Sequence, residues 1–452
     1  MRIIIVGAGV VGFHLAERLS VEGHDISVID ASPELVRRID EKMNVLAVQG
    51  DASTPSNLRK AGAEGADLVI AVTDRDNTNL VVSLIARKMG ARKVVVRLRN
   101  AELSVPESIL PPEEVGADFL INPITTTADL LERIIRNPGA FDVAEFAEGE
   151  LLLWGYEIST ESPLCGLKLR DLREQYEQSI SALIVAIARR NGELVIPRGD
   201  DELYSGDHIY VFIHRKSIGA FRELVHPEKE PVERVVIEGC TRLGIALAQR
   251  IESRFKSVVL IDRDRARAEK ASEVLERALV LHGDIVDPDF VHTNNIEDAD
   301  FYLALTSDDQ TNLMHALLVR KLGVRRIGVQ AQEPAYLPVL HTLDLGVVVT
   351  PRLLTVNAIL RHIRRGRVLQ VSQIGETGAE AREYLITAES AVAGKTLQQL
   401  KIPRGSIVGA IQRHESVIIP HGDTQIIADD HVVIFALPEA VAAVEKLFSK
   451  KR

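Results

Sequence analysis

Short apolar runs alternate with longer amphipathic stretches along the first 136 residues. Six runs are continuous and short, as in strands buried on both faces of a parallel sheet; they are Ile3–Val6, Asp25–Ile29, Val45–Val48, Leu68–Val72, Val94–Leu98 and Ala117–Ile121. The intervening stretches have the helical period, most clearly Asn79–Met89 and Thr126–Arg136. Strands that alternate with helices of ten or more residues predict a doubly wound parallel sheet.

The second half of the chain repeats this pattern almost without a gap. Gly7 matches Gly239 at an offset of 232 residues, and Thr73 matches Thr306 at an offset of 233. The two copies of this long unit therefore differ in length by one inserted residue. A repeat of this length sets the architecture. We expect a second doubly wound sheet.

A shorter repeat follows each long one. Pro197 and Asp207 match Pro420 and Asp430 at a constant offset of 223. Both copies consist of short alternating strands around Gly/Pro turns, preceded by a predicted helix at 167–173 or 396–400. The fold class is thus α/β, with two Rossmann-like domains (1–138 and 232–366) that alternate with two small α+β domains (139–227 and 367–452).

Composition restricts the function classes. The chain has 452 residues, a net charge of −10 and two cysteines. The acidic balance argues against general nucleic-acid binding, and two distant cysteines argue against a disulfide scaffold or a metal site. Apolar runs such as Ala182–Ala188 are too short to span a bilayer. We expect a cytoplasmic protein that does not insert into the membrane.

The first strand leads into a glycine-rich loop that opens a helix. The loop consists of Gly7, Ala8, Gly9, Val10, Val11 and Gly12. In a GxGxxG loop the first glycine permits the turn, the second lets the backbone approach a pyrophosphate, and the third lets the helix pack on the strand. The helix N-terminus favours the anion. The loop predicts a dinucleotide site; the alternative is a packing turn without a ligand.

An acid closes the second strand, 18 residues after the last loop glycine. Asp30 can accept from a ribose 2′-hydroxyl and would repel a 2′-phosphate, so NAD(H) is favoured over NADP(H). Further polar residues at strand ends are expected in the same crevice; they are Asp51, Thr73, Asp74, Arg97 and Arg99. Asp51, Asp74 and Asp76 could instead cap the following helices. Arg97 and Arg99 meet phosphate or form solvated ion pairs.

The second loop departs from the pattern at its centre. It consists of Gly239, Cys240, Thr241, Arg242, Leu243 and Gly244. The Cβ of Thr241 crowds a pyrophosphate, although Arg242 could compensate with its charge. The polar residues Asp262, Asp284 and Thr306 are retained, whereas Gln330 and Gln332 replace the arginines. This half binds a nucleotide loosely, prefers a different nucleotide, or is only structural.

These motifs together resemble the RCK (regulator of potassium conductance, or KTN) family in its tandem two-copy form. The segments GAGVVG, VID, QGD, AVTDRDNTNL and VVVRLRN match its N-terminal module over residues 7–100. LCGLKLRDL and IPRGD with GDHIYVF match its C-terminal module. The resemblance covers essentially the whole chain.

The resemblance implies a regulator rather than a catalyst. Family members assemble through their N-terminal modules into rings beneath a membrane potassium-translocating subunit. NAD(H), or ATP and ADP, bind the Rossmann crevices and bias the ring between conformations. For this chain it implies a homo-oligomer (dimer or tetramer ring), a Trk-type potassium-translocating partner and a peripheral position at the cytoplasmic face of the inner membrane.

Two other function classes fit the sequence less well. An NAD-dependent oxidoreductase needs a substrate domain with a His, Lys, Tyr or Cys near the nicotinamide, and the sequence contains no Tyr-x-x-x-Lys pair or nucleophile elbow. A transcription factor needs a helix-turn-helix with a basic face. The basic cluster formed by Arg361, Arg364, Arg365 and Arg367 suits a helix C-terminus or a partner contact better.

Overall fold

The computed structural model describes the chain in two compact units. It describes all residues except 101, 104–109, 138–139, 177–178, 190–192, 226–231, 344, 364–367, 375–377, 415 and 450–452. One unit comprises 1–132 and 233–363, the other 133–232 and 364–452. The basic cluster beyond residue 361 and the proposed domain limits at 138/139, 227 and 366/367 lie outside the described residues. No described helix is long and apolar enough to cross a membrane.

The first sheet is wholly parallel and has six strands. They are β1 (Arg2–Val6), β2 (Asp25–Asp30), β3 (Leu46–Gln49), β4 (Leu68–Ala71), β5 (Val94–Arg97) and β6 (Phe119–Ile121). Five helices connect and follow them: α1 (Val10–Val21), α2 (Pro33–Lys42), α3 (Pro55–Lys60), α4 (Asp76–Lys88) and α5 (Pro123–Arg136). The order β3-β2-β1-β4-β5-β6 is that of a Rossmann sheet. The prediction of a doubly wound sheet is confirmed.

Two helices of this domain begin three residues earlier than the apolar period predicted. Helix α5 begins at Pro123 because the Asn122 side chain accepts from the amides of Ile124 and Thr125, at 2.9 and 3.3 Å. Proline suits the first helical position, where no amide is needed. Polar caps lie outside the apolar periodicity, so periodicity alone places a helix start too late.

The repeated half forms a second sheet of the same order, β14-β13-β12-β15-β16-β17. Its strands are β12 (Arg234–Glu238), β13 (Ser257–Asp262), β14 (Leu279–His282), β15 (Phe301–Ala304), β16 (Ile327–Gln330) and β17 (Val347–Val349), and they too are parallel. Its helices are α8 (Arg242–Ile251), α9 (Arg265–Val274), α10 (Pro288–Thr293), α11 (Asp309–Lys321), α12 (Leu337–Thr342) and α13 (Pro351–Ile363). The internal repeat is therefore a repeat of fold.

The last helix of each Rossmann domain contacts the first helix of the other, by apolar packing in one pair and by ion pairs in the other. Helix α13 packs on α1, and its Ile359 joins the apolar core beneath that helix. The Arg18 guanidinium of α1 donates to the Asn357 side chain of α13 at 3.3 Å. At the equivalent place in the other pair, Arg250 of α8 contacts the Asp129 carboxylate of α5 at 2.6 Å. These helix contacts thus tie the two domains together.

The second unit contains two antiparallel sheets. The first, of order β10-β9-β11-β8-β7, comprises β7 (Ala140–Phe146), β8 (Leu151–Glu157), β9 (Ala182–Ala188), β10 (Leu194–Val195) and β11 (His208–His214), with helices α6 (Leu169–Tyr176) and α7 (Ile218–Val225). The second, of order β18-β19-β22-β20-β21, comprises β18 (Val368–Ile374), β19 (Ala379–Leu385), β20 (Ser406–Arg413), β21 (Ser416–Ile418) and β22 (His431–Ala436), with helix α14 (Val441–Ser449). The prediction of two α+β modules is confirmed.

The prediction of a helix at 396–400, equivalent to that of the first module, is wrong in the type of helix. This segment is a single 3₁₀ turn, Leu397–Gln399. The equivalent stretch in the first module forms the α-helix α6. A run of five residues is too short to offset the free-energy cost of helix nucleation.

Two equivalent aspartates of these modules, Asp207 and Asp430, are structural. Asp207 is 3% exposed and accepts from the Tyr204 amide at 2.8 Å and from the Arg189 guanidinium. Asp430 is fully buried and accepts from Arg413 Nε and Nη2, each at 2.9 Å. Each buried carboxylate thus ties a turn to a neighbouring strand, since a buried charge persists only when it is paired.

The two small sheets share one apolar core, which contains Phe146 and Phe212 from the first sheet and Ala410 and Phe435 from the second. Gly409 lies at a bulge in β20, directly under the Phe212 ring. A Cβ on Gly409 would lie 2.0 Å from a ring carbon of Phe212. The close approach of the two sheets therefore requires glycine here.

We expect Gly409→Ala to destabilise this unit by about 1–3 kcal/mol, because the new methyl group overpacks the shared core. Urea unfolding followed by far-ultraviolet circular dichroism measures the change. The matched control is Gly219→Ala in α7, where nothing lies within 4 Å of the added Cβ. Equal midpoints for the two variants would contradict the packing argument.

Candidate functional site

The first glycine loop is shaped by two of its three glycines. Gly7 has φ +105°, and a Cβ there would lie 3.0 Å from the Thr73 amide nitrogen. A Cβ on Gly12 would lie 1.7 Å from the Gly7 carbonyl oxygen. Gly9 is different, because nothing lies within 4 Å of its Cβ position and its φ of −64° suits any residue. The fold itself therefore does not require glycine at position 9.

Helix α1 begins at this open position without a side-chain cap. Gly9 is its N-cap residue and has no side chain to accept from the first-turn amides. Val10 and Val11 form the first turn, and Val11 is buried against the sheet. Uncapped amides and the helix dipole together attract an anion.

Asp30 closes the loop from the end of β2. Its Oδ2 accepts from the Ala8 amide at 2.6 Å, and its Oδ1 accepts from the Ser32 amide at 2.8 Å. Asp262 repeats this geometry in the second domain, where it accepts from the amides of Cys240 and Asp264, both at 2.8 Å. Each acid thus holds its own glycine loop, and a carboxylate oxygen retains a lone pair for a second donor.

The second loop is closed by its own side chain. Thr241 is the N-cap residue of α8, and its Oγ1 accepts from the Gly244 amide at 3.1 Å. The same hydroxyl donates to the Leu305 carbonyl at 3.0 Å. Leu243 and Gly244 are buried in the first turn of the helix. The anion position that is open in the first domain is therefore occupied by a hydroxyl in the second.

Cys240 is a buried thiol in this second loop. Burial, with Asp262 nearby, raises the pKa of the Cys240 thiol to about 12. It is therefore a protonated, unreactive group at neutral pH.

Two buried asparagines, which the sequence analysis did not single out, fix the strand ends. The Asn79 carboxamide accepts from the Thr73 amide at 3.0 Å and donates to the Arg97 carbonyl at 2.9 Å. Asn312 makes the same bonds to Thr306 and Gln330, at 2.9 and 3.0 Å. The signal was available, because both asparagines are polar residues on the apolar face of a predicted helix and occur at equivalent positions of the repeat.

The suggestion that the strand-end acids cap the following helices is wrong for Asp51 and Asp74. The N-cap residues of α3 and α4 are Thr54 and Arg75. Asp51 instead accepts from the amide and hydroxyl of Ser53, at 2.9 and 2.7 Å, and these bonds lower its pKa. In the second domain, the equivalent Asp284 accepts from the Val286 amide at 3.0 Å.

Asp76 likewise serves a different purpose from capping. It is the first residue of α4, and its carboxylate accepts from the amides of Arg99 and Asn100, at distances of 2.9 to 3.1 Å. It therefore fixes the segment after β5 and holds the Arg99 backbone in place. Asp309 does the same for Gln332 in the second domain, at 2.8 and 3.0 Å.

A cleft of about 520 Å³ lies between the two Rossmann domains, at the carboxyl ends of their strands. Its lining comprises Arg97, Arg99, Pro123, Ile124, Thr127, Thr241, Arg242, Leu243, Ser307, Gln330, Gln332, Pro351 and Arg352. A second recess, lined by Asp74 to Thr78, shares Arg99 and Arg242 with it. Four arginines and the starts of helices α5, α8 and α13 therefore converge on one space.

Arg97 lies in this cleft in surroundings that disfavour its positive charge. Burial, with Arg99 and Arg352 nearby, lowers the pKa of the Arg97 guanidinium to about 10. Its Nε is buried without a hydrogen-bond partner. Arg352 is paired with Glu333. A cationic group that is short of partners is well suited to an anionic ligand.

The structure brings together part of the residue set that the sequence proposed. Arg97, Thr241, Arg242 and Leu243 line the interdomain cleft, and Asp74 lines the adjoining recess. Arg352 joins them from a part of the sequence that no motif marked. Among the described residues, no group of three or more His, Cys, Asp or Glu side chains is placed to hold a metal ion.

Comparison with known proteins matches each part of the chain. The TrkA-N domain model matches residues 3–123 and 235–351, and the TrkA-C domain model matches 155–226 and 381–449. The Trk system potassium uptake protein TrkA of Vibrio alginolyticus is 35% identical over 454 residues, which cover 99% of this chain and 98% of the relative. The TrkA of Haemophilus influenzae is 34% identical, with the same coverage.

Solved structures match the fold at lower identity. The GsuK RCK domain has a TM-score of 0.64 at 19% identity and covers 99% of this chain and 95% of its own. The GsuK channel bound to NAD has a TM-score of 0.63 at 18% identity, covering 99% and 79%. Together with the matched domain models and the full-length relatives, this similarity leads to one conclusion. The chain belongs to the TrkA family, with two TrkA-N and two TrkA-C domains.

Proposed function

We propose that this chain is a nucleotide-binding regulatory subunit of a potassium uptake system. Its first Rossmann domain binds NAD(H), with ATP and ADP as competing effectors. The bound nucleotide controls a Trk-type membrane subunit that translocates potassium. The chain works as a homo-oligomer, a dimer or tetramer, at the cytoplasmic face of the membrane. The relatives' name as potassium uptake proteins and the NAD and ADP bound by GsuK support this proposal.

The single observation that carries the proposal is the open glycine at position 9. Gly7 and Gly12 are required by the chain's own turn, whereas a Cβ on Gly9 would meet nothing within 4 Å. A ligand that approaches the backbone accounts for glycine there, as a pyrophosphate does in dinucleotide sites. Asp30 lies at the ribose end of that path and favours NAD(H) over NADP(H).

Each proposed site residue has a defined part in this arrangement. The loop Gly7, Ala8, Gly9, Val10, Val11 and Gly12 holds the pyrophosphate, Asp30 the ribose, and Asp51, Thr73, Asp74 and Arg97 border the crevice. The weaker second site comprises Gly239, Cys240, Thr241, Arg242, Leu243 and Gly244, with Asp262, Asp284 and Thr306. Thr241 caps α8 there, so a pyrophosphate must displace its hydroxyl.

The arginine cleft adds a place for phosphate charge between the domains. A phosphate group there would pair with Arg97 and relieve its repulsion with Arg99 and Arg352. The ligand would then bind more tightly to the arrangement of domains that brings these arginines together. A ligand shifts a conformational equilibrium only by such a difference in affinity, commonly about 1–3 kcal/mol. This is the physical means by which a nucleotide controls the assembly.

We expect Gly9→Ala to lose at least about tenfold in NADH affinity while its unfolding midpoint stays unchanged, because the methyl group crowds only the ligand. The reverse change, Thr241→Gly, opens the second loop and adds or strengthens a second binding event. Calorimetric titration of both variants measures these effects. Asp30→Ala is a poorer test, because it also releases the Ala8 amide. Unchanged NADH binding in Gly9→Ala would contradict the site.

We expect Arg97→Met to raise the free energy of unfolding by about 1 kcal/mol, because it removes a half-buried charge that Arg99 and Arg352 repel. The same variant loses affinity for ATP by about tenfold or more, since a charge-assisted pair is lost. The control is Arg92→Met, an exposed arginine of the same domain paired with Asp67. Urea unfolding and ATP titration give both readouts. If the variant binds ATP as tightly as the wild type, the cleft does not bind phosphate.

The regulatory function itself is tested by potassium flux. Proteoliposomes that carry the Trk-type membrane subunit are loaded with the wild-type chain or with Gly9→Ala, and rubidium uptake is measured with NADH, NAD, ATP or ADP. We expect wild-type flux to depend on the nucleotide and Gly9→Ala flux to have lost the NADH response. Nucleotide binding with no change in flux would contradict regulation and favour an NAD-dependent oxidoreductase.

A further inference from the structure

The second Rossmann domain contains a buried polar cluster directly beneath its glycine loop. Glu238 ends strand β12 and immediately precedes Gly239. Its Oε1 lies 2.7 Å from His315 Nδ1 of helix α11, and its Oε2 accepts from the Tyr302 hydroxyl of strand β15. Tyr302 is fully buried, and Glu238 and His315 are 7% and 9% exposed. A carboxylate, a phenol and an imidazole are thus packed into what is otherwise an apolar layer.

The first domain has no such cluster at the equivalent positions. By the repeat offsets of 232 and 233, Glu238, Tyr302 and His315 correspond to Val6, Val69 and Val82. Those valines are at most 1% exposed and belong to an ordinary apolar core. A fold that is served equally well by three valines does not need three polar groups for packing. Their presence in one half only indicates a property that the other half lacks.

The cluster is connected to both parts of the second domain's crevice. The Glu238 carbonyl accepts from the Leu305 amide at 2.8 Å, and Leu305 in turn accepts from Thr241 of the loop. His315 lies one turn after Asn312, which holds the Gln330 carbonyl at 3.0 Å. Because Gln330 lines the interdomain cleft, a change of charge at His315 acts on the loop through β12 and on the cleft through α11.

The groups that face His315 favour its charged form. The hydrogen bond with Glu238 is the main cause that raises its pKa above the usual 6.5, and Asp284 at the end of β14 adds to it. Burial and Arg263, which follows β13, oppose this rise. The pKa of Tyr302 is raised well above its usual value by burial and by Glu238, so its phenol stays a neutral donor. His315 is therefore the group that changes charge near neutral pH.

We propose that the Glu238–Tyr302–His315 cluster is a proton-binding site that makes the second glycine loop, but not the first, sensitive to pH. A proton on His315 lets the imidazolium pair with Glu238 and ties α11 to the base of the loop. Because folding raises its pKa, the stabilisation is fully present below about pH 6.5 and is lost as the pH rises through the raised value. The proposal does not depend on a nucleotide occupying the loop.

The first measurement is the titration of His315 in the full chain labelled with [¹³Cε1]histidine, whose signal is assigned by its absence in His315→Gln. We expect a midpoint above 6.5 in the wild type and a lower midpoint in Glu238→Gln, which keeps the shape but loses the charge. A midpoint at or below 6.5 that Glu238→Gln leaves unchanged would overturn the proposal.

The second measurement is hydrogen exchange of the two loops, residues 239–245 and 7–13, corrected for intrinsic rates between pH 6.5 and 8.5. We expect protection of the second loop to fall by up to about tenfold for each unit by which the His315 pKa is raised, while the first loop stays constant. In His315→Gln, and in the triple change Glu238→Val, Tyr302→Val and His315→Val, both loops should behave alike. If the wild-type loops already respond equally, or if His315→Gln keeps the difference, the cluster is only structural.

Discussion

The contacts that join the last helix of each Rossmann domain to the first helix of the other hold the candidate site together. Helix α13 completes the apolar core beneath α1, while Arg250 of α8 is tied to Asp129 of α5. These contacts hold both domains in one unit with the carboxyl ends of their strands around a common cleft. A parallel sheet presents its ligand-binding edge at the carboxyl ends of its strands. The helix contacts therefore bring the two crevices together in one shared space.

The two Rossmann domains share one backbone framework, and local differences in sequence make them unequal. The frame is preserved in detail: Asp30 and Asp262 hold their loops alike, and Asn79 and Asn312 fix the strand ends alike. The differences lie at the proposed ligand and proton sites. The first loop leaves its helix uncapped and open, whereas the second is closed by Thr241 and rests on ionisable groups. Such a division suits a regulator that combines two inputs.

Arg97 illustrates how a proposed anion site differs from a stable core. A half-buried cation with an unpartnered nitrogen and two like charges nearby costs free energy. The surrounding helices and the Asn79 bond to the Arg97 backbone keep it in place nonetheless. An anion bound at the proposed site would offset this cost by pairing with the guanidinium.

The two Rossmann sheets, the two small modules and the loops that carry the glycines are all predictable from the residues alone. These follow from local rules: strands buried on both faces are apolar throughout, helices show their period, and Gly7 and Gly12 permit backbone contacts that a Cβ would block. The internal repeat strengthens the prediction, because the same pattern occurs at equivalent positions in both halves. Helix starts were misplaced, since caps such as Asn122 act outside the apolar pattern.

Which distant residues meet depends on how the elements pack. Arg352 joins Arg97 because α13 crosses to the other domain, and no local signal encodes that crossing. Thr241 departed visibly from the glycine pattern, but its bond to Leu305 depends on the neighbouring strand. The partners of Glu238, Tyr302 and His315 come from three elements far apart in the chain. Charge and hydrogen bonding depend on distances of a few ångströms, which the packing of elements fixes and the order of residues does not.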